Sequence, residues 1–330
     1  MLNQNLSAAK KEWQDLKYGM FIHFGLSTFE GISCGSGKMD PVFFNPTELD
    51  VESWAKLAKQ SGMKYAVLTA KHVDGFCLWP SKYTEYSVKK SACGKDLVKE
   101  FTEAFRANGL KVGLYYALWD CNCPFYHDDK KYAEYMRNQV GELLTEYGEI
   151  VELWFDGGWD KEHPTKEWMY DERWERDRMS GLRHGEAWEW DKLYEMIHEF
   201  QPNCLVINNT SSDRPGAVRY FPLDVRTAER SEYIYQNRVC RPVINPEFET
   251  PDGEKVYLPL EFCNTLTPDW FYKRDQHVLH PSVATICGWY ELARESNSNL
   301  LLNVGPDCRG KIPEYHVEYL LKAAERLGLC

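Results

Sequence analysis

Short apolar runs alternate with longer stretches of helical periodicity along most of the chain. One of these runs, 150–155, is long enough for a buried strand and too short for a helix. The same reasoning predicts eight strands, at 18–24, 65–69, 112–118, 150–155, 204–208, 223–227, 258–262 and 300–304. A chain with this many regularly spaced strands is typical of the α/β class.

Helical periodicity fills several of the intervals between these strands. Apolar residues spaced i, i+3, i+4, i+7 predict helices at 51–58, 97–105, 130–147, 188–200, 282–294 and 317–324, with Asp96 as the N-cap of the second. Eight strands alternating with helices in 330 residues predict a (β/α)8 barrel, as a single catalytic domain over 1–330. No helix is predicted between the sixth and seventh strands, where a long loop holds Pro242, Pro246, Pro251 and Gly253.

An insertion at about 160–189 interrupts the fourth connection between strand and helix. It is crowded with charged residues and tryptophan. An insertion at this place would overhang the C-terminal mouth of the barrel, where it would act as a lid or a specificity loop. A pair of surface helices without a role in chemistry is the alternative.

Composition and charge narrow the classes of function. The net charge of −11 disfavours nucleic acid and anionic membranes as partners. The N-terminus has no signal-peptide pattern, and no apolar run reaches the ~18 residues of a membrane span, so a cytoplasmic location is expected. The 11 cysteines are scattered and odd in number, which fits reduced thiols. Because no metal-ligand cluster, GxGxxG motif or P-loop is found, neither a metal nor a cofactor is expected.

Polar side chains lie at or just after nearly all of the predicted strands. Barrel enzymes build their sites there. In chain order these residues are His23, Lys71, His72, Tyr116, Trp119, Asp120, Asp156, Asn208, Asn209, Glu229, Glu261 and Asn303. Any one of them alone is more often structural than functional, but together they indicate a shared pocket. The 14% share of aromatic residues agrees with a sugar site, since flat rings stack on the apolar faces of sugars.

Three carboxylates come from separate predicted strands: Asp156, Glu229 and Glu261. Asp156 ends an apolar run and precedes two glycines, a place where an isolated Asp could equally cap a turn. Glycoside hydrolysis needs two carboxyl groups, one as nucleophile or base and the other as acid. Three candidates at one end of a barrel therefore favour this chemistry.

Several ordered stretches resemble a known family. They are 17–25, 62–88, 109–116, 152–158, 227–229 and 299–306. With them the chain resembles the α-L-fucosidases of glycoside hydrolase family 29, from Trp13 to about Leu327. The resemblance implies a (β/α)8 barrel and a retaining exo-α-L-fucosidase that removes terminal α-linked L-fucose by double displacement through a covalent glycosyl-enzyme. The stretches FNPTELD and PDWFY are more similar to the branch that prefers α-1,3/1,4-linked fucose.

The resemblance also implies roles for individual residues. Asp156 matches the nucleophile. Glu229, in the Thr-Ala-Glu stretch, matches the acid/base, with Glu261 as the alternative acid or as a residue of the pocket. The residues that match the lining of the sugar pocket are His23, Lys71, His72, Trp79, Tyr116 and Trp154. The implied partner is a fucosylated oligosaccharide or glycoconjugate, and whether the chain forms a homo-oligomer is left open.

The chain departs from the family pattern at three places. Val73 stands where a second histidine usually follows the first, the loop 32–39 contains Cys34 in place of a Trp–acid feature, and 208–210 reads Asn-Asn-Thr where many members have an Arg. The C-terminal β-sandwich of many members is not expected. These departures suggest a shifted specificity or weak activity on standard fucosides. A non-catalytic sugar-binding barrel and, more remotely, a metal-dependent barrel hydrolase are the alternatives.

Overall fold

The structure of the chain is a computed structural model. It describes residues 2–156, 185–209, 216, 218, 220–230, 246–250, 253–276 and 280–330. Most of the predicted insertion, from 160 to 184, lies outside the described residues, as do Thr210 and two of the loop residues, Pro242 and Pro251.

Ten strands are described, and eight of them form one parallel sheet. In chain order they are β1 Tyr18–Ile22, β2 Tyr65–Lys71, β3 Lys111–Ala117, β4 Glu152–Asp156, β5 Leu205–Asn208, β6 Arg226–Glu229, β7 Glu247–Glu249, β8 Lys255–Tyr257, β9 Leu260–Thr265 and β10 Asn299–Val304. The order in the sheet is β5-β4-β3-β2-β1-β10-β9-β6. A parallel bridge from Ile207 to Val225 joins the two edges. The sheet is therefore a nearly closed barrel, and the predicted (β/α)8 fold is confirmed.

Eight α-helices are described around this sheet and at its ends. They are α1 Leu2–Leu16, α2 Leu26–Glu30, α3 Val51–Gln60, α4 Leu97–Ala107, α5 Asp129–Glu146, α6 Trp190–Phe200, α7 Val283–Glu295 and α8 Glu314–Leu327. All six predicted helices are present. The predicted cap is confirmed, because the Asp96 side chain accepts a hydrogen bond from the backbone N–H of Lys99 at the start of α4. Among the described helices, none has the length and apolar character that a membrane span requires.

The interval between the sixth and seventh barrel strands differs from the prediction of a plain loop. It contains an antiparallel hairpin, in which β7 pairs with β8 and Phe248 faces Val256. The prediction missed it because each strand has only three residues and both are largely exposed, so their sequence lacks a long apolar run.

Two glycines let large side chains fill the lower part of the barrel interior. A Cβ on Gly19 would lie 2.5 Å from the Tyr65 ring, and one on Gly113 would lie 2.6 Å from the Glu152 Cγ. Side chains alternate between the two faces of a strand. In β4, Glu152 therefore points into this lower layer, and Trp154 and Asp156 follow on the same face towards the C-terminal end.

Candidate active site

Three consecutive strands of the barrel bring two carboxylates and one amide together. Asp156 ends β4, Glu229 ends β6, and Asn209 follows β5, which lies between them. The Asn209 Nδ2 donates to Asp156 Oδ1 at 3.1 Å and to Glu229 Oε2 at 2.9 Å. Because both lie this close to one nitrogen, Asp156 Oδ1 and Glu229 Oε2 can be no more than about 6 Å apart. Two carboxyl groups at such a separation can act together on one glycosidic bond.

The second oxygen of Asp156 is held from the neighbouring strand. The Tyr115 hydroxyl, from β3, donates to Asp156 Oδ2 at 2.8 Å. Burial and then the charge of Asp156 raise the pKa of Tyr115, so the phenol stays protonated and acts as a donor at neutral pH. Asp156 is thus oriented by two donors from the strands on either side of it.

An aromatic wall continues from Tyr115 across the barrel. Tyr115 stacks on Trp154, with ring centroids 5.5 Å apart, and Phe21 packs against Trp154 at 5.2 Å. The Trp270 ring lies 5.1 Å from the ring of His23. Flat apolar surfaces beside a pair of carboxylates suit a sugar ring, which has apolar faces as well as hydroxyl groups.

Two histidines stand among these rings, and both are neutral. Burial lowers the pKa of His72 to about 3, and burial together with His72 lowers the pKa of His23 well below its usual value. Asn303 fixes the tautomer of His23. Its Nδ2 donates to the Trp270 carbonyl at 2.8 Å, so its Oδ1 faces His23 Nδ1 at 2.8 Å and accepts that proton. The remaining nitrogen of His23, Nε2, therefore carries a lone pair that can accept a hydrogen bond from a hydroxyl group.

Arg230 belongs to the site although the sequence did not single it out. Its Nε lies 3.9 Å from Glu229 Oε1, its guanidinium lies 5.7 Å from the Trp270 ring centroid, and its Nη2 donates to the Pro268 carbonyl at 2.9 Å. Arg230 has a φ of 52°, a conformation that side chains other than glycine seldom adopt. It ties the end of β6 to the segment 268–272.

Three residues expected to line the sugar pocket lie elsewhere. Lys71 and Tyr116 point outward, because β2 has a bulge before Lys71 and because Tyr116 lies on the opposite face of β3 from Tyr115. There Lys71 Nζ donates to Tyr116 Oη at 3.0 Å and to Asp120 Oδ2 at 2.9 Å. Trp79 Nε1 donates to Glu142 Oε2 in α5 at 2.9 Å. These residues hold α5 against the barrel.

The ion pair between Lys71 and Asp120 gives a prediction about stability. Both side chains are buried, with 0% and 1% exposed. Lys71→Met should lower the free energy of unfolding by about 3–5 kcal/mol, because the Asp120 charge is left without its buried partner. Lys82→Met removes an exposed pair with Glu146 and should change the free energy of unfolding far less, because solvent screens exposed charges. Urea unfolding of both variants measures the difference, and equal losses would contradict the prediction.

Glu261 lies deeper in the barrel than the two carboxylates, where it contacts Trp154. Glu261 is fully buried and accepts hydrogen bonds from Tyr65 Oη at 2.6 Å and Trp154 Nε1 at 2.9 Å. Glu152 lies close to it and accepts a hydrogen bond from Trp13. Burial raises the pKa of both carboxyls, that of Glu261 to about 7. Glu261 is therefore placed below the aromatic wall, whereas Glu229 is at the end of its strand.

The structure shows where the three departures from the family pattern lie. Val73 is buried, and the backbone carbonyl of Val73 accepts from Cys121 N at 2.8 Å. The Cys34 thiol is close enough to Asp156 to be affected by its charge. Burial, followed by Asp156 and Cys121, raises the pKa of Cys34 to about 12. The third departure brings Asn209 between the carboxylates, while Thr210 lies outside the described residues. Within those residues, no cluster of three or more His, Cys, Asp or Glu side chains could hold a metal ion.

Comparisons with known proteins agree on one family. The family model described as Alpha-L-fucosidase matches residues 38–328. "Alpha-L-fucosidase 1" of Arabidopsis thaliana is 32% identical over 326 residues, which cover 97% of this chain and 59% of that protein. The chain therefore spans less than two thirds of the length of this curated relative.

Two solved structures are similar over nearly the whole chain. A glycoside hydrolase 29 family member from an unknown rumen bacterium has a TM-score of 0.78 and 33% identity, covering 97% of this chain and 56% of that one. Alpha-L-fucosidase isoenzyme 1 from Paenibacillus thiaminolyticus has a TM-score of 0.72 and 30% identity, covering 98% of this chain and 76% of that one.

Proposed function

Since this chain belongs to the α-L-fucosidase family, glycoside hydrolase family 29, we propose that it is a retaining exo-α-L-fucosidase. It would remove terminal α-linked L-fucose from an oligosaccharide or glycoconjugate. The observation that carries this proposal is the pair of carboxylates joined by Asn209. Retaining glycosidases hold their carboxyls ~5–5.5 Å apart, and inverting ones ~6.5–9.5 Å apart. An upper limit of about 6 Å between the two bonded oxygens supports the retaining arrangement.

In this mechanism each carboxylate has one role in each step. Asp156 forms a bond to the anomeric carbon as the glycosidic bond breaks, and Glu229 gives its proton to the departing oxygen. Water then attacks the anomeric carbon from the side of Glu229, which takes its proton, and the ester bond to Asp156 breaks. The Tyr115 hydroxyl keeps Asp156 oriented towards the sugar.

Glu229 suits the acid/base role better than Glu261. Glu229 shares a donor with Asp156 and its side chain is 17% exposed, so a leaving group can reach it. Glu261 has both oxygens occupied by Tyr65 and Trp154 and has no exposed surface. An acid must lie within hydrogen-bond reach of the atom that it protonates.

The aromatic wall and the neutral histidines support recognition of the sugar. His23 Nε2 can accept a hydrogen bond from a fucose hydroxyl, and the faces of Trp154 and Tyr115 offer apolar surface to the ring. The stretch PDWFY contributes Trp270 and Phe271 to the same wall, next to His23 and His72. Because this stretch resembles the branch that prefers α-1,3/1,4 linkages, we propose glycans with those linkages as the first to test.

Hydrolysis of an aryl α-L-fucoside by the native chain tests the proposal. We expect turnover of the fucoside and none of the matching aryl β-L-fucoside, and proton NMR at early times should show α-L-fucose as the first product. Early β-L-fucose would contradict the retaining mechanism. Binding of fucose without turnover of any aryl fucoside would contradict catalysis and favour the sugar-binding barrel.

A further inference from the structure

The Asn209 side chain contacts both candidate catalytic carboxylates. Its side chain is buried, with 2% exposed. Both N–H groups of its amide are used, one on Asp156 and one on Glu229. Its neighbour Asn208 is equally buried, with 1% exposed, yet neither its side-chain oxygen nor its nitrogen has a partner among the described residues.

The orientation of the Asn209 amide is fixed from the other side. The Thr227 hydroxyl, in β6, donates to Asn209 Oδ1 at 3.1 Å. The backbone N–H of Asn209 donates to the Phe155 carbonyl at 2.8 Å, which anchors the residue to β4. With its oxygen held by Thr227, the amide can turn only its nitrogen towards the carboxylates.

We propose that Asn209 is a positioning residue that holds the nucleophile and the acid/base in register through one neutral amide. This inference rests on the proposed fucosidase function. The amide occupies Oε2 of Glu229, so Oε1, on the side of Arg230, is the oxygen that exchanges the proton with the leaving group and with water. Because the amide is uncharged, it can donate to both carboxylates in each step without adding a charge to the site.

The surroundings of the amide determine what a substituted side chain would meet. Among the described residues, Asp156 from β4 and Glu229 from β6 accept directly from the amide. Arg230 and Tyr115 contact these two carboxylates in turn, and Cys34, in the loop after α2, is close enough to Asp156 to be affected by its charge. Two carboxylates face position 209 directly. A third carboxyl placed there can donate to one of them only while it is protonated.

Three variants test the proposal with an aryl α-L-fucoside at one pH. Asn209→Ala should lower kcat about 10–100-fold with KM within about threefold, because two hydrogen bonds to carboxylates are lost. Thr227→Val keeps the shape but frees the amide, and should lower kcat about threefold to tenfold. Asn208→Ala is the matched control and should leave kcat within about twofold of the native value.

The pH–rate profile separates positioning from a merely structural role. Asn209→Asp should be active only on the acidic side of the native profile, since the introduced carboxyl repels its neighbours once it ionises. A loss after Asn209→Ala no larger than that after Asn208→Ala would overturn the inference. So would an Asn209→Asp profile with the native shape. Both comparisons require an active native chain, so either result would leave the proposed function standing. An inactive native chain would contradict that function itself.

Discussion

An Asp156→Ala variant is expected to hydrolyse an aryl α-L-fucoside about 10⁴-fold more slowly than the native chain, the scale of loss when a covalent nucleophile is removed. The methyl group cannot attack the anomeric carbon, and the space that the carboxylate filled is left beside Tyr115. Added azide can enter that space and attack from the same side. The product should be β-L-fucosyl azide, formed with a single inversion and identified by NMR.

Two further variants make this result specific for Asp156. Asp156→Asn keeps the shape and the acceptor for Tyr115, so it should remain folded and be as inactive as Asp156→Ala. Asp74→Asn is the control. Burial raises the pKa of Asp74 to about 7, so its carboxyl already exists partly in a neutral form that an amide resembles. Activity of Asp74→Asn should stay within about threefold of native. Native-like turnover by either Asp156 variant would exclude it as the nucleophile.

The barrel could be predicted from sequence because its strands are short, buried apolar runs, but their exact ends could not. β6 was expected at 223–227 and is found at Arg226–Glu229. It begins with a buried arginine, whose Nε donates to the Leu258 carbonyl at 3.2 Å. The predicted range already contained Arg226, but it began at the apolar residue Leu223 and stopped before Ala228 and Glu229, because the strand itself has a largely polar sequence. The N-terminal helix α1 was not predicted, although it supplies Trp13 to the lower barrel layer.

The side of a strand to which a residue points was harder to predict than the strand itself. Tyr115 and Tyr116 are adjacent, and both lie in a run that is buried on its two faces, so the pattern has no polar side from which to choose. The register with β4 decides which tyrosine faces the barrel interior, since Tyr115 pairs with Trp154. Asp156 and Glu229 could be found because each ends its strand. Asn209 was noticed as a strand-end residue, but its contacts with both carboxylates depend on which strands are neighbours.

Replacing Glu229 and Glu261 in turn should give opposite patterns of loss. Glu229→Ala should slow hydrolysis of a fucosylated glycan about 10²–10⁴-fold, because the departing sugar oxygen needs a proton. The same variant should lose much less on a dinitrophenyl α-L-fucoside, whose leaving group departs without one. Azide should then attack the fucosyl-enzyme on its open face and give α-L-fucosyl azide, which only an acid/base variant forms.

Glu261→Gln should instead affect stability. An amide can accept from Tyr65 or from Trp154 but not from both, so one buried donor is left unpaired at a cost of about 1–3 kcal/mol. Its kcat on both substrates should stay within about fivefold of native, because the residue lies beneath Trp154 and does not meet the leaving group. A loss on the glycan alone, with azide rescue to the α-azide, would make Glu261 the acid. That outcome would require Trp154 to move, because its indole lies against Glu261 and closes the layer in which that carboxyl is buried.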